Sequence, residues 1–158
     1  MSASGVRISG TGFQGVARLA DRMRRLADAR VLVGVPKGKE PADGESLALR
    51  AARVEFGAGN SPERPFLRGG IRAATPKLKA QAAGLAKAVA DDRMAPDTAA
   101  ELLGASAAGE VKQYMTGPHF VPNAPSTIAK KGSSQPTIDS GQLRQAVTHT
   151  VEHGGGGK

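Results

Sequence analysis

The chain has no cysteine and no tryptophan, and only one tyrosine and four phenylalanines among its 158 residues. Without cysteine there is no disulfide, no thiolate metal ligand and no cysteine nucleophile, which fits synthesis in a reducing cytoplasm and gives no sign of a secreted fold. Aromatic residues are 3% of the chain, and the apolar fraction leans on Ala, Val and Leu, so the core of one copy should be small. A small core is often completed by association. No apolar run approaches the ~20 residues of a membrane span. The start, MSASGVRISG, has neither the charged beginning nor the apolar stretch of a signal peptide, and a soluble protein is expected.

Acidic residues are the minority sign, 14 against 22 Lys and Arg, for a net charge of +8. That balance favours acidic surfaces or nucleic acid as neighbours. The cations Arg22, Arg24, Arg25, Lys37, Lys39, Lys77, Lys79, Lys130 and Lys131 are nevertheless scattered, without the interleaved aromatics that stack bases. Non-specific proximity to DNA therefore fits better than sequence-specific binding, and a free basic DNA-binding module is a distant alternative.

The length corresponds to about one domain. Val6 to Ser9 reads as a short strand. Phe13, Val16, Leu19, Met23 and Leu26 then recur at helical spacing through Asp28, with Arg18, Arg22 and Arg25 on a solvated opposite face. Val31 to Val35 is a continuous apolar run stopped by Pro36, as expected of a buried strand, and residues 36–44 read as a polar loop. Leu47, Ala48, Ala51, Ala52 and Val54 predict a helix closed near Gly57 by a left-handed glycine. After the loop Gly59-Asn60-Ser61-Pro62, the Ala-rich pattern from Gly70 to Asp91 predicts one long helix entered or kinked at Pro76. Pro96-Asp97 restarts the chain, and Leu102, Leu103, Ala107, Val111 and Met115 mark a further helix closing at Gly117.

Chemical motifs are few. Gly10-Thr11-Gly12-Phe13-Gln14-Gly15 has the form G-x-G-x-x-G, the pattern that lets a pyrophosphate approach a helix N-terminus. Its leading strand is short and partly polar, the second strand ends in Pro36-Lys37 rather than an acid, and too little chain follows for a doubly wound sheet. The motif is better read as a glycine-rich turn starting the first helix. His119, His149 and His153 lack metal-ligand spacing and read as surface or strand histidines. Asp139 and Ser140 read as helix caps rather than triad members, and Asp91-Asp92 as a solvated pair at a helix end. No enzymatic constellation, cofactor site or metal site emerges.

The most particular stretch is Phe120 to Val147, FVPNAPSTIAKKGSSQPTIDSGQLRQAV. Pro122, Pro125 and Pro136 fix φ and push their predecessors toward extended geometry, so an irregular arm is expected over residues 117–135, with Lys130-Lys131-Gly132 at its tip. Asp139 or Ser140 then caps a short helix, and Ala146 to Val151 reads as a strand with Val147 and Val151 on one face and Thr148 and Thr150 on the other.

Asn123-Ala124-Pro125-Ser126-Thr127-Ile128, Lys130-Lys131-Gly132-Ser133 and Pro136-Thr137-Ile138-Asp139-Ser140-Gly141-Gln142-Leu143 together resemble the C-terminal signature of the neck, or tail-completion, proteins of tailed bacteriophages. A second block, Glu55-Phe56-Gly57 followed by Pro62-Glu63-Arg64-Pro65-Phe66-Leu67-Arg68, is similar to the family's "EFG, then RPFLR" element. The likeness spans residues 30–152 in outline. Thr137 stands where the family usually has an aliphatic residue, and Ser140 where it usually has Thr.

The expected fold is α+β: one domain over residues 1–152, with a small antiparallel or mixed sheet from Val6–Ser9, Val31–Val35 and Ala146–Val151 packed against three or four helices. Residues 153–158 should be a flexible Gly-rich tail. The resemblance implies a structural, non-enzymatic virion protein, assembled in the host cytoplasm, that forms a ring at the head–tail junction through which DNA passes. Six copies are favoured and twelve are the alternative. Its partners would be the head connector or adaptor and the tail terminator or tail tube. A tail-terminator ring capping the tail tube is the neighbouring alternative. The ring contact is expected between Arg64, Phe66, Leu67 and Arg68 on one side and the arm on the other, with Asn123, Pro125, Thr127, Lys130, Lys131 and Asp139 as its candidate residues.

Overall fold

A computed structural model describes residues 10–38, 46–59, 61–122, 125, 129 and 141–154 of the chain. The described residues form an α+β fold of five helices and a two-stranded sheet. In chain order these are α1 (Gly10–Asp28), β1 (Ala29–Gly34), α2 (Leu47–Phe56), α3 (Phe66–Ala90), α4 (Pro96–Tyr114), α5 (Gln142–Ala146) and β2 (Thr148–His153).

The apolar period from Phe13 to Leu26 folds as α1, and β1 follows without a loop. The G-x-G-x-x-G residues are part of this helix rather than a turn before it, so these glycines do not form a phosphate-binding loop. The strand expected at Val6–Ser9 lies outside the described residues.

α3 and α4 share the most extensive packing of any two elements. They run antiparallel: Gly70 near the start of α3 lies against Val111 and Tyr114 near the end of α4, and Lys77 pairs with Glu110. α3 begins at Phe66, ahead of the expected Gly70, and continues through Pro76 in its interior. Pro76 removes the hydrogen bond that the Arg72 carbonyl would accept. The other end closes in a Schellman motif, with Asp92 N–H donating to Val89 O at 3.1 Å and Arg93 N–H to Ala88 O at 2.9 Å. Asp92 takes the left-handed position at φ 59°, where glycine is usual.

Arg22 is not on a solvated face as expected. Its guanidinium donates to Val89 O and Ala90 O, both at 3.1 Å, and meets Asp92 at 3.1 Å. It therefore satisfies the last carbonyls of α3 and fixes the second half of α1 to the body.

The two strands pair antiparallel, Val31 opposite Val151 and Gly34 opposite Thr148. One face packs on α4 and the other is open, so β1 is not the buried strand expected: Leu32 is 46% exposed. Ala146 ends α5 instead of starting the strand, and Val147 between them is fully buried. His153, expected in the flexible tail, is the last residue of β2, and Gly154 N–H donates to Asp28 O at 3.0 Å. The close approach of sheet to helix depends on Gly104, where a Cβ would come within 2.3 Å of the His149 ring.

The core gathers Ala51, Phe66, Ala108, Val111, Met115, Leu143 and Val147. Much of the α3–α4–sheet contact is made by small residues, Ala99, Ala100, Gly104 and Ala107, while Leu102, counted among the apolar positions of α4, is 44% exposed. Small side chains let the elements approach closely but remove little apolar area each.

Candidate interaction surface

The block Glu55-Phe56-Gly57…Arg64-Pro65-Phe66-Leu67-Arg68 forms a staple between the end of α2 and the start of α3. α3 has no side-chain cap from its own preceding residue, Pro65. Glu55 supplies the missing acceptors from another helix: Oε2 accepts Leu67 N–H at 2.9 Å, and Oε1 accepts Arg68 N–H at 3.1 Å and Arg68 Nε at 2.8 Å. A carboxylate at a helix N-terminus is favoured by the free N–H groups and by the helix dipole. Its side chain is only 3% exposed, so these bonds are what make its burial tolerable.

Arg68 also donates to Glu55 O at 3.1 Å, reaches Glu63 at 3.3 Å and lies over the Phe56 ring at 5.0 Å. The hydrogen bond it donates to the Glu55 carboxylate is the main reason its guanidinium pKa is raised above the ordinary value. Arg64 N–H donates to Val54 O at 2.8 Å, closing the loop between the helices. Gly57 sits at φ 74° and ψ 161°, so it closes α2 in a region almost restricted to glycine, not in the left-handed helical conformation expected. A side chain there would come within 2.9 Å of Ser61 O.

The side chain of Arg64 turns the other way. Nε donates to Val121 O at 3.0 Å and Nη2 to Pro122 O at 3.5 Å. Arg64 is buried, and this burial holds its pKa below the usual guanidinium value. Beside it, His119 stacks on Tyr114 with ring centroids 4.5 Å apart, and Phe120 meets Tyr114 edge-on at 5.5 Å. The segment leaving α4 is therefore irregular in backbone, as expected of the arm, but held along residues 119–122.

The proposed contact residues separate accordingly. Phe66 is 0% exposed and belongs to the protomer's own core, which leaves its ring no surface to offer a partner. Arg64 spends its donors within the chain, and Leu67 packs against the core. Arg68 keeps half of its side chain exposed, beside Phe56, which is 66% exposed. Pro125 is exposed. Asn123, Thr127, Lys130, Lys131 and Asp139 lie outside the described residues. What sequence reasoning missed is Glu55 as a cap in trans, whose only signal was a carboxylate just before a glycine and a helix start without a polar cap. It also missed that Phe13, Val16 and Leu19 on α1 are 71%, 66% and 38% exposed.

His149 lies on β2, as read, with His153 at the strand's last position, and both face α4: His149 Nε2 is 2.8 Å from Glu101 and His153 Nε2 3.7 Å from Asp97. Among the described residues no three His, Asp or Glu side chains converge as metal ligands, and no helix is long and apolar enough to cross a membrane. Comparison with known protein families, with characterised proteins and with solved structures finds no match to this chain.

Proposed function

We propose that the chain is a structural subunit of a tailed-phage neck, a tail-completion protein that assembles as a ring at the head–tail junction. The observation that carries this reading is the staple. In the Glu55–Arg68 block, Glu55 caps α3 and Arg64, two residues before that helix, grips the carbonyls of Val121 and Pro122, which immediately precede the second block at Asn123. An arm that must reach a neighbouring subunit needs a fixed point of departure, because ordering it at the moment of contact costs conformational entropy. Exposed Phe56 and Val121 and half-exposed Arg68 surround that point, an apolar and cationic surface of the kind enriched at interfaces. The net charge of +8 suits a lumen that passes DNA or a neighbour with an acidic face.

Mass per particle by light scattering tests the reading, first on the purified chain and then with connector-bearing heads or isolated tails. A ring that binds either particle stoichiometrically is expected. Binding to tails alone would move the assignment to a tail terminator. A chain that ignores both particles and binds naked duplex DNA with a steep salt dependence would replace the neck reading by a DNA-binding one.

A further inference from the structure

We infer that the first half of α1 docks on a second copy of this chain, seating Phe13, Val16 and Leu19 in the groove that β1, α3 and α4 form on its neighbour. The inference rests on the ring reading and names the contact that would close the ring.

All described side chains over residues 12–21 are exposed, yet Phe13, Val16 and Leu19 continue the stripe that Met23 and Leu26 complete. One stripe is thus half packed and half overhanging. Leu26 sits at one end of an apolar groove, against Leu85, Ala86 and Ala99. Val31, Ala82 and Leu103 carry that groove onward into an open stretch of about 310 Å³ walled also by Val33, Ile71 and Leu78. The open stretch therefore prolongs the packing that α1 already makes and asks for the same chemistry. Along α3, Ile71 to Ala82 spans roughly 16 Å at helical rise, and Phe13 to Leu19 roughly 9 Å, so the overhanging side chains fit within its length.

The chain's own α1 does not reach this stretch. Arg22 is tied to Val89, Ala90 and Asp92, and β1 begins directly after Asp28, so there is no hinge to turn the first half inward. Among the described residues each copy thus presents one unfilled groove and one uncovered helix face. A head-to-tail contact uses both once per copy, which is the geometry that closes into a ring.

The test compares the wild-type chain with a helix variant, Phe13→Ser with Val16→Ser, and a groove variant, Leu78→Glu, by sedimentation over a concentration series. The wild type is expected to associate, and each variant to be monomeric, with association weakened roughly tenfold or more. A mixture of the two variants should give a 1:1 dimer and nothing larger, because it contains one intact helix face opposite one intact groove. Since the chain has no cysteine, Val16→Cys with Leu78→Cys in one chain gives a version that leaves the packing nearly intact. It should oxidise to a ladder of linked chains. A wild type that stays monomeric up to about a millimolar, variants that associate like the wild type, or a disulfide formed only within one chain would each overturn the inference; the last would mean that a chain covers its own groove. An oligomer that survives both variants and still binds phage particles leaves the neck reading standing without this contact. An oligomer that depends on α1 but binds no particle keeps the contact and removes the neck reading.

Discussion

The carboxylate of Glu55 caps a helix that starts at Phe66, accepting Leu67 N–H at 2.9 Å across a separation of twelve residues and an intervening turn. Helix caps usually come from the residue just before the helix, so that capping and helix formation are one local event. Here the cap belongs to α2, so the free N–H groups of Leu67 and Arg68 in the first turn of α3 are satisfied by the packing of α2 beside it. Glu55→Ala should cost about 2–3 kcal/mol, a lost cap plus donors left without acceptors in a buried place. Glu55→Gln keeps an acceptor of nearly the same shape and should recover part of the loss. Urea midpoints of the two variants check this, and equal, negligible losses would mean that the staple does not hold the helix.

Phe66→Ala should destabilise the single protomer by about 3–5 kcal/mol, the range for emptying a buried aromatic site. Denaturation at concentrations where the wild type is monomeric separates this from an effect on assembly. A variant of normal protomer stability that fails only in assembly would put the ring back at an interface.

Arg64→Lys keeps the charge but loses the planar fork that spans two successive carbonyls. Steady-state NOE measurements should show Phe120 and Val121 gaining fast backbone motion, with α3 and α4 unchanged. If those amides keep their order, the Tyr114–His119–Phe120 contacts hold the arm's root without the arginine.

Gly104→Ala should cost about 1–3 kcal/mol, since the added methyl overpacks the helix–strand contact at the His149 ring. Combining it with His149→Ala should recover much of that cost, and a double-mutant cycle measures the coupling directly. Additive losses would show that the methyl strains something other than His149.

The amino-acid sequence by itself determined the elements whose signal is local. The 3.6-residue stripe of α1 and the apolar run of β1 ended by Pro36 were both legible, as were the restart at Pro96-Asp97 and a strand around Thr148–Val151, because each depends on near neighbours. From these the α+β class followed. Tertiary structure decided how those stripes are used. It left the apolar face of α1 half uncovered and opened one face of β1 to solvent, outcomes set by how few partners a small core supplies. It also moved the start of α3 from Gly70 to Phe66, since the cap comes from Glu55, and took Arg22 from a solvated face to the end of α3. Each of these is a contact between residues far apart in the chain, and neither periodicity nor composition encodes which distant side chain will arrive to satisfy a free N–H or C=O group.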